Sequence, residues 1–117
     1  PGGNHPLIVA DDGEGVCGYA SLSAFRSKGG YAPAVELSIY ISPDHRGQGI
    51  GGKLMAAIIG EARANRDTHA VISVITEGNQ TSVALHEKFG FEYCGSMKEI
   101  AFKHGAYRDM SFYELLV

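Results

Sequence analysis

The sequence predicts an α+β (mixed α/β) fold, a central mixed sheet with helices on its faces. Three stretches carry that prediction. Residues 35–42 alternate apolar and polar side chains, residues 51–66 switch to three- and four-residue spacing, and residues 70–76 are mostly β-branched. A strand, a helix and a strand in that order imply a parallel pair joined by a right-handed crossover, with the helix laid on the sheet.

From the start of the chain, Leu7–Ala10 is a short apolar run that reads as a strand. Asp11-Asp12-Gly13-Glu14-Gly15 supplies turn chemistry and Val16–Phe25 a second strand, so the two form a hairpin. Residues 27–33 are a polar, glycine-rich loop. In the next strand Val35, Leu37, Ile39 and Ile41 share one face, and Glu36, Ser38, Tyr40 and Ser42 the other. Pro43 ends it. The helix that follows carries Ile50, Leu54, Ala57, Ile58 and Ala62 on its inner stripe and Lys53, Glu61 and Arg63 outside. Ala70–Thr76 is a buried strand. Asn79 or Thr81 caps a short helix through Phe89. Gly90 suits the left-handed position after it, which lets Phe91 fold back on Leu85. Glu92–Phe102 and Tyr107–Val117 read as strands around a Lys103-His104-Gly105 turn. The predicted order is β-β-β-α-β-α-β-β, one domain over residues 1–117.

Bulk properties narrow the function. A composition of 44% hydrophobic and 20% charged residues belongs to a chain that folds rather than a disordered one. A net charge of −3 provides no broad basic field, which argues against nucleic acid as a partner. No apolar run approaches the ~20 residues of a membrane span, and residues 1–6 lack the basic-then-apolar order of a signal peptide. A cytoplasmic protein without a membrane partner is expected, with Cys17 and Cys94 as reduced thiols. No metal is expected: the five histidines show no ligand spacing and each cysteine stands alone.

The chemistry starts in Pro43-Asp44-His45-Arg46-Gly47-Gln48-Gly49-Ile50-Gly51-Gly52-Lys53, which joins a strand to a helix N-terminus. Main-chain N–H groups there are unpaired and carry partial positive charge, which suits a phosphate. Three patterns fit. Gly47-x-Gly49-x-x-Gly52 satisfies a dinucleotide fingerprint, but four residues separate it from the strand, where that fold wants the first glycine close behind. Gly47 through Gly52-Lys53 nearly satisfies a Walker A loop, but Leu54 stands where a magnesium-binding hydroxyl belongs. The third is Arg46-x-x-Gly49-x-Gly51 behind Ile41-Ser42-Pro43.

That third pattern resembles the acetyl-CoA loop of the GNAT superfamily of N-acetyltransferases. The likeness extends over nearly the whole chain and is nearest the phosphinothricin and methionine sulfone acetyltransferase branch. It is carried by Gly18-Tyr19-Ala20-Ser21-Leu22, Val35-Glu36 with Ser38-Ile39-Tyr40, the 43–51 loop, Asn79 with Ser82, Leu85-His86-Glu87, Phe89-Gly90-Phe91, and Phe102-Lys103 with Gly105, Tyr107 and Asp109. The resemblance implies a GNAT-like fold and transfer of acetyl from acetyl-CoA to the primary amine of a small molecule, an amino acid or analogue among the candidates.

It also implies roles. The diphosphate would sit on the amides of Arg46, Gly47, Gln48, Gly49, Ile50 and Gly51, and the pantetheine arm along Ile39, Tyr40 and Ile41, pairing like an added strand. Asn79, with Ser82, would hold the arm; Asn79 also reads as a helix cap, and the two roles can coexist. Glu36 is the candidate general base, because an amine attacks a thioester only after losing a proton. His86 stands where many relatives place a tyrosine that protonates the leaving thiolate. It would donate a proton, hydrogen-bond the sulfur, or only pack. Tyr40 shares a face with Glu36 and either orients the amine or packs. Tyr31 and Arg26 are candidates for contacting the acceptor.

Two departures qualify the likeness. The superfamily places a strand and two helices before the hairpin, and this sequence starts at about the hairpin. An N-terminally truncated sequence, or a partner covering the bare sheet face, is expected, with a homodimer as the partner. The amino-acid branch also carries Arg, His and Thr between the loop Tyr and the Glu, where this chain has Ala32-Pro33-Ala34. Arg26 and Lys28 are the cations left nearby to grip a carboxylate. The alternative from another class is a non-catalytic acyl-CoA-binding or structural remnant.

Overall fold

The computed structural model describes residues 6–25 and 34–117. Leu7–Asp11 (β1) and Val16–Ala24 (β2) form the predicted hairpin. Asp11 Oδ1 accepts from Gly13 N at 2.7 Å and Asp12 Oδ1 from Glu14 N at 2.8 Å, so the two aspartates build the turn with their own side chains. Ala34–Ile41 (β3), Ile50–Ala64 (α1), Ala70–Thr76 (β4), Gln80–Lys88 (α2), Glu92–Lys103 (β5) and Ala106–Leu116 (β6) follow. The strands lie in the order β1-β2-β3-β4-β6-β5. β3 and β4 pair in parallel, as the crossover requires, and the other neighbours are antiparallel.

Both helices cover one face. Leu54, Met55, Ile58, Ile59 and Ala62 of α1 are buried in one cluster with Ala20, Leu22, Leu37, Val71 and Ile75 of the sheet. At about 1.5–3 kcal/mol for each large aliphatic side chain removed from water, this stripe dominates the attachment of α1. α2 lies on the same side. Its His86 reaches Ser73, which shares a face of β4 with Val71 and Ile75. Gly51 of α1 has no room for a side chain larger than hydrogen without pressing on Leu85 of α2, 3.3 Å from where a Cβ would sit. Gly90 takes the left-handed conformation expected of it, with φ 94°. Phe91 then turns inward and meets the His86 ring edge-on, with centroids 4.8 Å apart.

The opposite face is bare at the β1 edge. Val9, Tyr19 and Tyr40 are register partners across three strands, and all three are exposed, as is Leu7. The Tyr19 and Tyr40 rings lie 5.8 Å apart. At the other edge β5 is interrupted twice, between Tyr93 and Gly95 and between Met97 and Ala101, irregularities that twist an edge strand away from pairing with another chain. Cys17 and Cys94 are free thiols, one buried and one exposed. No helix among the described residues is long and apolar enough to cross a membrane.

Candidate active site

The sheet opens at its centre. β3 pairs with β4 through Ala34↔Ala70, Val35↔Val71 and Glu36↔Ile72. Beyond these rungs the strands part, although β3 stays paired to β2 as far as Ile41 and β4 to β6 as far as Thr76. The β3 main-chain groups that point toward β4 after Glu36 are therefore left without a strand partner, and unpaired main-chain donors and acceptors need another one.

The glycine loop closes the wide end of this opening. Pro43–His45 makes a single 3-10 turn, and α1 begins at Ile50. Gly47 and Gly49 have φ of 80° and 78°, left-handed values that cost a residue with a side chain about 1–2 kcal/mol each. Gly49 occupies the cap of α1, and no side chain accepts from the first turn. The N–H groups of Arg46, Gly47, Gln48 and Gly49 donate to no main-chain carbonyl among the described residues. These donors and the free first turn of α1 form a concavity whose partial positive charge suits an anion.

Two contacts fix the loop from outside. Arg46 Nε donates to the Ile41 carbonyl at 3.3 Å, folding that side chain against the end of β3. His45 Nε2 lies 2.8 Å from Asp12 Oδ2, tying the loop to the β1–β2 turn. The Glu14 N–H and then His45 hold the Asp12 carboxyl below its ordinary range.

A cleft of about 610 Å³ fills the space between the end of β3, the loop and the start of α2. Of the residues expected to hold a cofactor, Ile39, Tyr40, Ile41, Arg46, Gly47, Gly49, Ile50, Gly51, Asn79 and Ser82 line it. Gln48 is exposed and does not. His45, Thr81 and Leu85 line it as well, beyond the residues expected to hold a cofactor. A second cavity of about 250 Å³ continues into the opening of the sheet, sharing Ile39, Asn79 and Ser82 with the first. Glu36, Ser38, Ser73, Thr76, His86 and Lys103 border it.

Glu36 is half-buried on the face of β3 away from the helices, at the last rung before the strands part. His86 enters from the helix side and is 2% exposed. Its Nδ1 lies 2.7 Å from the Ser82 carbonyl and its Nε2 2.8 Å from Ser73 Oγ. A carbonyl only accepts, so Nδ1 carries the hydrogen, and the neutral ring takes the Ser73 O–H at Nε2. Burial lowers the His86 pKa below its ordinary value, and the hydrogen bond to Ser82 opposes that in part. Asn79 caps α2, its Oδ1 accepting from Ser82 N at 3.1 Å. Tyr40 is exposed beside Tyr19 on the bare face. Arg26, Lys28 and Tyr31 lie outside the described residues. Among the described residues no three His, Cys, Asp or Glu side chains gather as a metal site would require.

A glycine loop with free N–H groups, set beside main chain of β3 that lacks a strand partner, suits the diphosphate and the arm that the third loop pattern implies. Residues 1–91 match the model of the acetyltransferase (GNAT) family. The chain belongs to this family. The GNAT relatives include the L-methionine sulfoximine/L-methionine sulfone acetyltransferase of Pseudomonas aeruginosa, 39% identical over 112 residues, which are 95% of this chain and 64% of that enzyme. Among solved structures, a GNAT superfamily phosphinothricin acetyltransferase from Sinorhizobium meliloti in complex with acetyl-CoA superposes with a TM-score of 0.88 at 41% identity, covering 99% of this chain and 63% of that one. A ribosomal-protein-alanine N-acetyltransferase from Brucella melitensis superposes with a TM-score of 0.90, also at 41% identity, covering 97% of this chain and 69% of that one. The chain thus spans a little under two thirds of the first two GNAT relatives.

Proposed function

We propose that the protein transfers the acetyl group of acetyl-CoA to the primary amine of a small, amino-acid-like molecule. The observation that carries this is the parting of β3 from β4 directly beside the anion-ready start of α1, with Glu36 at the apex. The residues present fit the coenzyme. Free amides from Arg46 to Gly51 suit its diphosphate, the unpaired rungs of β3 suit the amides of its arm, and Asn79 and Ser82 stand at the junction of the two cavities. Bound there, acetyl-CoA would supply a thioester carbonyl: the amine nitrogen would bond to it, the carbon–sulfur bond would break, and the thiolate would leave and take up, through solvent, the second proton that the nitrogen sheds.

Glu36 takes the proton that the ammonium must lose before its lone pair is free, directly or through one water. Such assistance is worth roughly 10²–10⁴-fold, and holding amine and thioester together supplies much of the rest. His86 serves as a positioning residue in this reading. Its N–H is committed to the Ser82 carbonyl and its other nitrogen to Ser73, so the neutral ring orders the start of α2 and keeps no proton for the thiolate. The acceptor class is supported by the Pseudomonas aeruginosa relative, whose substrates are amino-acid analogues. The bare face around Leu7, Val9, Tyr19 and Tyr40 supports pairing with a second copy, and a sedimentation profile of a stable, active monomer would remove that part.

The test is release of free thiol when purified protein is mixed with acetyl-CoA and a panel of amines. Release with amino acids or their sulfone analogues is expected. Glu36→Gln should lose most turnover while keeping coenzyme affinity. Coenzyme binding without thiol release from any amine leaves a non-catalytic binding domain, and no affinity for the coenzyme sinks the reading altogether.

A further inference from the structure

We propose that Lys103 selects the acceptor by pairing with the carboxylate of an amino acid whose α-amine faces Glu36. This rests on the acetyl-transfer reading and extends it to the acceptor's chemistry. Lys103 is the last residue of β5, ahead of a two-residue turn in which His104 and Gly105 both have positive φ, 53° and 77°. That turn is braced. The Phe102 and Tyr107 rings meet edge-on with centroids 5.1 Å apart. Arg108 Nε donates to the Lys103 carbonyl at 3.2 Å. From this base the side chain crosses toward β4, where Nζ donates to Thr76 Oγ1 at 3.2 Å.

The destination places the charge. Thr76 shares a face of β4 with Ile72, and Ile72 is the register partner of Glu36. Lys103 and Glu36 therefore border one 250 Å³ cavity from the same face of the sheet, the face without helices. Among the described residues that line it, Glu36 is the only carboxylate and Lys103 the only Lys or Arg. Lys103 makes no ion pair among the described residues. The acids at that end of β4 and β6 are turned elsewhere: Glu77 Oε1 accepts from Asp109 N at 2.6 Å, and Asp109 Oδ1 from Glu99 N at 3.0 Å. A neutral hydroxyl is thus the partner of an ammonium that lines a cavity opposite a carboxylate.

An α-amino acid carries the complementary pair, an ammonium and a carboxylate one carbon apart. Glu36 attracts the first and Lys103 the second, which sets the amine toward the base and the side chain away from it. A simple amine or polyamine lacks the anion and brings only positive charge to Lys103, an unfavourable juxtaposition that discriminates against it. The amide of a peptide N-terminus offers no carboxylate at that position either.

The experiment compares wild-type protein with Lys103→Met and Lys103→Arg, using L-methionine sulfone, its amide and its decarboxylated amine as probes. Binding to the CoA-loaded protein is measured by calorimetry and acetyl transfer by thiol release. Wild type should favour the free acid over the other two. Lys103→Met should weaken binding and raise KM for the acid on the order of 10- to 100-fold, leave kcat within a few-fold, and abolish the preference for the acid. Lys103→Arg should keep most of the preference. A preference that is unchanged in Lys103→Met overturns the proposal, as does wild-type protein that binds none of the probes. Lys103-dependent binding of the acid without thiol release would sustain the carboxylate subsite and defeat the transferase reading. Turnover indifferent to Lys103 would do the reverse.

Discussion

His86 Nε2 lies 2.8 Å from Ser73 Oγ, and this bond crosses from α2 to the central strand β4 in the buried core. Two polar side chains share that interior, where a hydrogen bond left unmade costs about 1–3 kcal/mol. Replacing His86 with Phe keeps an aromatic ring but strands the Ser73 hydroxyl and the Ser82 carbonyl. Chemical denaturation should show a loss of about 1–3 kcal/mol. The double change with Ser73→Ala should recover part of it, because the buried hydroxyl is then gone.

The same ring predicts an acid sensitivity. Desolvation by burial lowers the His86 pKa in the folded protein, so below about pH 6.5, its ordinary value, the unfolded chain binds a proton that the folded chain refuses. The stability that the neutral ring contributes is complete above that pH. It is lost as pH falls from there through the lowered folded value. Melting curves between pH 8 and 5 should decline in wild type and decline less in His86→Gln.

Gly18 sits opposite Ile41 in the β2–β3 ladder, and a Cβ there would stand 2.7 Å from the Tyr40 carbonyl. Backbone cannot swing aside as a side chain does, so Gly18→Ala must push β3 away from β2. Overpacking of this kind costs about 1–3 kcal/mol. Because Tyr40 lines the cleft, coenzyme affinity measured by titration should fall along with stability.

In the loop, two glycines should separate conformational strain from crowding. At Gly49 an added Cβ meets nothing within 4 Å, but φ is 78°. Gly49→Ala should cost about 1–2 kcal/mol of stability through backbone strain alone. Gly51 has an ordinary φ and its obstacle is the flexible end of Leu85 at 3.3 Å. Gly51→Ala should cost less than Gly49→Ala when both are unfolded in denaturant.

The tie between His45 and Asp12 is exposed and should matter to the loop more than to the fold. Asp12→Asn is expected to leave the melting temperature nearly unchanged and weaken coenzyme binding a few-fold, with the difference shrinking as salt rises. Calorimetric titration at two ionic strengths checks this.

Much of this architecture could be read from local pattern. The period-2 alternation of residues 35–42 separates Glu36 on the polar side from Ile39 and Ile41 on the apolar side, which the structure turns toward the helices, because a strand buried on one face imposes that alternation. The Asn79 cap and the Gly90 exit were legible for the same local reason. The parting of β3 from β4 was not: both strands keep strand-like sequence through the stretch where they separate, and pairing is decided by partners distant in the chain. Ser73 sits inside a β-branched run with no local signal of its partner, although a lone hydroxyl in such a run asks for a buried one. His45 and Asp12 are 33 residues apart, and no local rule joins them. Lys103 read as part of a turn because its reach to Thr76 depends on the register of two hairpin strands and a third one.

A sheet ordinarily keeps its vulnerable margin at the rim, where any extended polypeptide can dock. Here a stretch of that margin lies inside a wedge, with its neighbours closing in from both flanks toward Glu36 and Ile72. A whole strand with its side chains is too broad to reach the narrow end, whereas a slender, unbranched amide chain is not. The molecule can thus leave main-chain valences open for a guest without inviting self-association there, a selectivity that comes from width alone.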